Sequence, residues 1–276
     1  MEEETKVLNP LSYKPIGNLL KSLAIPAIIA NLVNALYNVV DQIFIGQGIG
    51  YLGNAATNIA FPITTMCLAI GLTLGIGGAS NFNLELGKGY PEKSKHTAGT
   101  AASTLIIIGI ILCIVVRIFL EPLMIGFGAT DKILEYSIEY TGITSYGIPF
   151  LLFSIGVNPL VRADGNAKYS MIAIVTGAIL NTILDPLFMF VYNLGIAGAA
   201  WATVISQVVS ALLLLIYFPR FKSVKFSLND FIPQLHYLKR IVSLGFASFI
   251  YQFSNMIVLV TTNNLLKIYG KNSIYG

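Results

Sequence analysis

Apolar residues gather into seven long stretches along the chain, separated by short clusters of charged residues, glycine and proline. They run over Leu19–Gly46, Ala55–Leu86, Thr97–Leu120, Tyr140–Val161, Tyr169–Val191, Gly195–Phe218 and Ile241–Leu266. Each exceeds the ~20 residues that an α-helix needs to cross the hydrocarbon core of a bilayer. None shows the strict two-residue alternation of a membrane β-barrel strand, and all are too long for one. The pattern predicts an all-α membrane protein. It divides the chain into a tail (1–18), a six-helix transmembrane lobe (19–218), a polar connector (219–240) and a seventh helix (241–276). The Met1–Lys21 segment is polar and carries Glu2, Glu3 and Glu4, which is not the pattern of a signal peptide.

Composition narrows the class. Charged residues make up 11 % of the chain, against about 25 % in soluble domains. Hydrophobic residues make up 55 %, and the mean hydropathy is +0.74. Such a chain exposes apolar surface to water unless lipid is its solvent. A cytosolic enzyme, a secreted disulfide scaffold and a disordered regulator are excluded. Cys67 and Cys113 both sit inside apolar runs, so no disulfide framework or zinc site is expected.

The net charge of +4 is too small and dispersed for nucleic-acid binding, but its placement reports orientation. With a cytoplasmic N-terminus, only Arg117, Lys132, Lys267 and Lys271 of the 17 basic residues fall outside. That positive-inside bias predicts a multi-pass protein of the plasma membrane. The runs Lys88–His96 and Phe221–Arg240 read as solvated cytoplasmic loops, which makes His96 a poor ligand.

A weak internal repeat accompanies the connector. Ser22-Leu23 aligns with Ser243-Leu244, which sets Asn34 on Asn255 and Asp41 on Thr262. After a short gap, Leu52-Gly53-Asn54 meets Tyr269-Gly270-Lys271. The seventh helix then reads as the start of a second unit, repeated about an axis along the membrane normal. A complete protein of this design has roughly twelve helices in two pseudo-two-fold lobes. On that reading the sequence is one lobe and one helix of a longer, truncated protein.

Only Asp41 and Asp185, of 13 acidic residues, fall well inside the apolar stretches. A carboxylate at the centre of a lipid-exposed helix costs roughly 2.5–3.5 kcal/mol, so both must face protein or a hydrated cavity. Asp41 lies roughly 8 Å before the outer end of the first helix, and Asp185 lies at a similar depth in the fifth. Asn181 is one turn before Asp185 on the same face, and Thr203 reaches this depth on the sixth helix. Two carboxylates sharing a dry site repel, and a proton or a hard monovalent cation relieves them. The four residues therefore outline a Na+ or H+ site.

Each has a plainer reading alone. Asp41 can snorkel to headgroups, Asp185 can cap a kink at Pro186, and Asn181 and Thr203 can link helices. Their shared depth favours the site. Asn31, Asn34 and Tyr37 form a polar stripe which, with Asn158, outlines a substrate cavity or a set of interhelical hydrogen bonds. Gly71, Gly75 and Gly78 are expected to allow close helix packing.

No P-loop, zincin motif or nucleophile elbow is present, so catalysis is not expected. The runs Arg162-Ala-Asp-Gly-Asn-Ala-Lys168, Asn181-Thr-Ile-Leu-Asp185-Pro186 and Gly195-Ile-Ala-Gly-Ala-Ala-Trp-Ala-Thr203 resemble the multidrug and toxic compound extrusion (MATE) transporters. Pro26 and Leu52-Gly53 fit the same family. The resemblance implies a cation-coupled, twelve-helix antiporter whose two lobes face a central cavity. It further implies a Na+ or H+ site at Asp41, Asn181, Asp185 and Thr203, no other cofactor, and export of amphipathic, cationic drugs or toxic compounds. Transport would require the missing second lobe. Bending of the first helix, between Pro26 and Gly46 or Gly48, is a candidate motion. Two alternatives stand beside this: a flippase of lipid-linked saccharides, and a non-transporting truncated fragment. The flippase calls for several Arg and Lys in the cavity, and the sequence places none within the helices.

Overall fold

The computed structural model describes residues 15–269. Most of the tail, with Lys6 and Lys14, and the end of the repeat match at Gly270 and Lys271 lie outside the described residues. Among the described residues all regular structure is helical. The order is α1 (Ile16–Gly48), α2 (Tyr51–Gly87), α3 (Pro91–Ile118), α4 (Leu120–Gly126), α5 (Asp131–Thr144), α6 (Ile148–Ala163), α7 (Ala167–Pro186), α8 (Gly195–Tyr217) and α9 (Leu235–Tyr269). Seven segments are long and apolar enough to cross a membrane, with α5 and α6 forming one continuous span, Asp131–Ala163.

Three spans start six or more residues earlier than hydropathy predicts, α9 among them, at Leu235 rather than Ile241 and so within the expected connector. α3 begins at Pro91 rather than Thr97, because Pro91 at its first position and Glu92 in its first turn favour a helix start within polar sequence. The fourth span begins at Asp131 rather than Tyr140. Its first turns are amphipathic, burying Ile133, Ser137 and Thr141 while Asp131, Lys132, Glu135 and Glu139 face outward. A window average hides such a helix.

α2 runs through the middle, flanked by α3, α5, α6 and α9. Its glycines explain this position. A Cβ on Gly75 would come within 2.6 Å of the Gly156 carbonyl oxygen on α6, and one on Gly71 within 2.7 Å of Ile155 Cγ2. Gly78 similarly faces Ala101 of α3 at 3.1 Å. Without side chains at these points the backbones approach closely, the main route to tight packing where lipid tails are as apolar as the protein. Gly77 meets the α9 backbone at Ile241, and Gly245 of α9 meets the carbonyl of Thr73 in return. At its other end α9 passes Gly128, where a Cβ would lie 3.1 Å from the Asn263 carbonyl carbon. There Asn264 donates to the Gly126 carbonyl (3.0 Å) and Lys267 to that of Ala129 (2.7 Å). α1 is held less firmly. It packs mainly on α7 and buries only Ala30, Asp41 and Ile45.

The first polar run is exposed over Lys88–Lys93, as expected of a solvated turn, but its end enters α3, where Ser94 is buried and donates to the Phe82 carbonyl (3.1 Å). The second run is not a solvated loop. The connector folds back onto the bundle through Phe218, Phe221, Phe226 and Phe231, whose rings lie 5.0–5.6 Å from one another in successive contacts. Phe82, Phe153 and Tyr217 extend this cluster into the core. Three buried carboxylates pin it. Asp164 accepts the Tyr217 hydroxyl (2.8 Å) and the backbone N–H groups of Lys222 (2.9 Å) and Ser223 (2.9 Å). Asp230 accepts the Ser227 N–H (2.7 Å) and hydroxyl (3.0 Å), and lies 3.2 Å from His96 Nδ1. Glu85 pairs with Arg240 (3.0 Å) and Lys88 (3.3 Å). Interleaved lysines and serines mask the four phenylalanines in the linear sequence, which is why the run reads as a loop.

Candidate functional site

Asp41, Asn181, Asp185 and Thr203 converge from α1, α7 and α8. Asp185 is 0 %, Asn181 2 % and Asp41 7 % exposed, and Thr203 is half-buried. The Asn181 amide donates to Asp185 Oδ1 (3.2 Å) and to Thr203 Oγ1 (3.4 Å). Gln42 donates to Asp41 Oδ2 (3.3 Å), and Thr57 in turn donates to Gln42 (3.1 Å). The carboxyl groups of Asp41 and Asp185 are close enough to interact electrostatically. Asp41 Oδ1, Asp185 Oδ2 and Asn181 Oδ1 are buried with no donor among the described residues. Buried carboxylate oxygens left unpaired are strongly disfavoured, so this arrangement calls for a proton or a cation between them.

Local structure fixes the aim of these groups. Asn166 caps the start of α7 by accepting the Tyr169 N–H (3.2 Å). The α-helix then holds Asn181 and Asp185 on one face. It ends at Pro186, which offers no N–H, and continues as a π-helical turn over Leu187–Val191. Asp185 Oδ1 takes the Asn181 amide rather than a backbone group. Asp41 faces α7, not the membrane surface.

Two cavities adjoin the site and share Tyr37, Leu151, Thr203 and Gln207; Asn181 lines the first, Asp41 the second and Asp185 neither. The first, of about 260 Å³, lies among α1, α2, α6, α7 and α8, and Asn34, Tyr37 and Asn158 all line it. Asn158 is also a helix link. Its amide donates to the Ser170 carbonyl (3.2 Å), and Ser170 Oγ donates to Asn158 Oδ1 (2.7 Å). The second cavity, of about 200 Å³, is lined by Asp41, Gln42, Asn58 and Tyr140.

Several residues escaped the sequence reading. Gln207 stands one turn after Thr203 on the same face of α8, a spacing that could have revealed it. Tyr140, which lines the second cavity together with Thr203, was hidden because the predicted fourth helix began there. Arg162, assigned by sequence to a loop, lies in the last turn of α6 and lines the first cavity. That corrects the expectation of a cavity with no basic residue.

Comparison with known proteins extends the picture. The MatE family profile matches residues 26–187, more than half of the chain. The multidrug export protein MepA of Staphylococcus haemolyticus (strain JCSC1435) is 26 % identical over 260 residues, covering 92 % of this chain and 57 % of the relative. MepA of Staphylococcus aureus (strain NCTC 8325 / PS 47) is 26 % identical over 266 residues, covering 95 % and 59 %. Among solved structures, the MATE multidrug transporter DinF-BH, solved as a ligand complex, superposes with a TM-score of 0.89 at 32 % identity, over 99 % of this chain and 60 % of that one. An outward-facing multidrug resistance MATE family transporter of the MOP superfamily gives 0.82 at 29 % identity, over 92 % and 56 %. The chain thus spans less than two thirds of the length of these relatives, which are transporters and export proteins rather than enzymes. Because the profile match takes in Asp41, Asn181 and Asp185 on a fold with seven membrane-crossing helices, this multi-pass membrane protein belongs to the MatE family.

Proposed function

We propose that the chain supplies the cation-coupling lobe of a Na+- or H+-driven antiporter that exports amphipathic, cationic organic compounds across the plasma membrane, with its N-terminus in the cytoplasm. The observation that carries this reading is the set of three donor-less buried oxygens, from Asp41, Asp185 and Asn181, with Asn181 lining one cavity and Asp41 the other. An ion that binds one arrangement of the lobes better than the other shifts their equilibrium, and so drives transport. The loosely packed α1 carries Asp41, which makes it the element that ion entry would reposition. In a two-lobe design the second lobe would come from the part of the relatives' length that this chain does not cover.

The site is tested by thermal unfolding of the purified chain in detergent, titrated separately with Na+ and with pH. A ligand at 100 times its Kd stabilises by about 2.7 kcal/mol, enough to move the midpoint visibly. One of the two titrations is expected to shift the midpoint, and Asp185→Asn or Asp41→Asn to abolish that shift. The same response in both variants rules out the site. In a full-length form, Asp185→Asn is expected to abolish drug resistance while the protein stays in the membrane. Unchanged resistance removes the coupling role.

A further inference from the structure

Away from both cavities, one face of the bundle carries a guanidinium held in place by its neighbours. Arg117 is exposed in the last turn of α3. Its Nη1 donates to the Gly142 carbonyl (2.9 Å) and to Ser145 Oγ (3.3 Å), and its Cζ lies 4.1 Å from the centre of the Tyr146 ring. Tyr146, in the short turn Ser145–Gly147 between α5 and α6, stacks in turn on Trp201 of α8, with ring centres 6.3 Å and planes 10° apart. These contacts fix the guanidinium yet leave its Nε and Nη2 without a partner among the described residues. Glu121 and Glu139, on the neighbouring elements, form no ion pair with it.

Depth and surroundings point to what meets this charge. Successive spans run in opposite directions, so the end of α3 and the start of α8 lie at one membrane face. Arg117 is in the last turn of α3 and Trp201 in the second turn of α8. That is the interfacial layer, where Trp and Tyr collect and long basic side chains reach head groups. Tyr146 is 47 % and Trp201 41 % exposed, and neither lines a cavity. Toward the bilayer centre, Ile114 and Ile110 lie one and two turns from Arg117 on α3, and Phe150 one turn from Tyr146. All three are exposed, an apolar strip at the depth of acyl chains.

The planar fork of a guanidinium matches phosphate oxygens, and basic residues between membrane helices favour anionic head groups. We propose that Arg117, positioned by Gly142 and Tyr146, binds the head group of an anionic phospholipid, with an acyl chain lying along Ile114, Ile110 and Phe150. The site shares no residue with the coupling site and does not depend on which membrane face is cytoplasmic. Either reading can fail without the other.

Trp201 is the single tryptophan of the chain, so its fluorescence reports on this face alone. The test uses the purified chain in phosphatidylcholine vesicles that contain increasing shares of a lipid brominated on its acyl chains, either phosphatidylglycerol or phosphatidylcholine. Bromine quenches indole fluorescence on contact. The anionic lipid is expected to be favoured roughly fivefold at Trp201, equivalent to about 1 kcal/mol. Arg117→Gln is expected to erase that preference and Arg117→Lys to keep part of it. Arg220→Gln, beyond the far end of α8 and so at the opposite membrane face, should keep all of it. Equal quenching by the two lipids, or an unchanged preference in Arg117→Gln, overturns the proposal. Loss of the preference in Arg220→Gln also overturns it, since the attraction would then belong to the chain's net charge. So does relief of the quenching by millimolar glycerol phosphate, which offers a phosphate without acyl chains. Should Arg117→Gln fail to fold, the comparison of the two lipids on the unaltered chain decides.

Discussion

Asp164 makes the case for reading burial one residue at a time. Its carboxylate is fully buried and satisfies one hydroxyl and two backbone donors that no other acceptor reaches. Asp164→Ala would orphan all three, and each unsatisfied buried donor costs about 1–3 kcal/mol. A loss of about 3 kcal/mol or more is expected, measured as a lower unfolding midpoint together with faster chymotryptic cleavage at Phe221 and Phe226. Asp164→Asn keeps one acceptor and should lose less. Asp164 does lie in the turn between α6 and α7, but its burial was not legible because its partners lie 53 to 59 positions away. Asp41 and Asp185 were legible for the opposite reason: a carboxylate inside an apolar stretch is anomalous wherever the chain folds. Arg162 and Tyr140 sat at the edges of such stretches, where polar residues are ordinary.

Among elements, α2 is decided by what it lacks. Gly75 faces the Gly156 backbone, which cannot rotate out of the way as a side chain can. Gly75→Val is therefore expected to destabilise by about 3 kcal/mol, toward the top of the usual range for overpacking. Gly17 offers the contrast. It lies in the first turn of α1 with nothing within 4 Å of an added Cβ, so Gly17→Ala should stabilise by about 0.5–1 kcal/mol through a stiffer unfolded chain. Chemical denaturation of the two variants in the same detergent checks both signs. The existence of the seven spans was readable from hydropathy, and the roles of Gly71, Gly75 and Gly78 from their spacing. Where α3 and α5 begin was not, because capping and amphipathic turns leave little trace in a hydropathy average.

For the whole molecule, the connector determines how the parts are joined. It is a folded plug of phenylalanines, pinned to α3 through Asp230. Burial alone would raise this carboxyl's pKa, but the Ser227 hydrogen bonds and the charges of Lys95 and His96 outweigh it and hold the group below its ordinary value. A carboxyl more acidic in the native state than in the unfolded chain, where it titrates near about 3.9, contributes fully above that pH. Its contribution is lost as pH falls through the native value. Protection from hydrogen exchange across residues 221–234, relative to the unstructured rate at the same pH, should fall below about pH 4, and Asp230→Asn should remove that acid-dependent component. Protection that ignores pH in this range would show that the aromatic cluster alone holds the plug. None of this was visible as a pattern along the chain, since it depends on contacts between the connector and helices far away in sequence.

The docking of α9 has a mechanical consequence. Its backbone touches the preceding bundle closely at two separated places, Gly245 against Thr73 and Asn263 against Gly128. A rigid rod fixed at two points keeps one freedom, rotation about the line that joins them. Sliding, lifting or tilting would each break at least one contact. A movement of α9 that keeps both contacts is therefore a swing about that line, as of a door on its pintles.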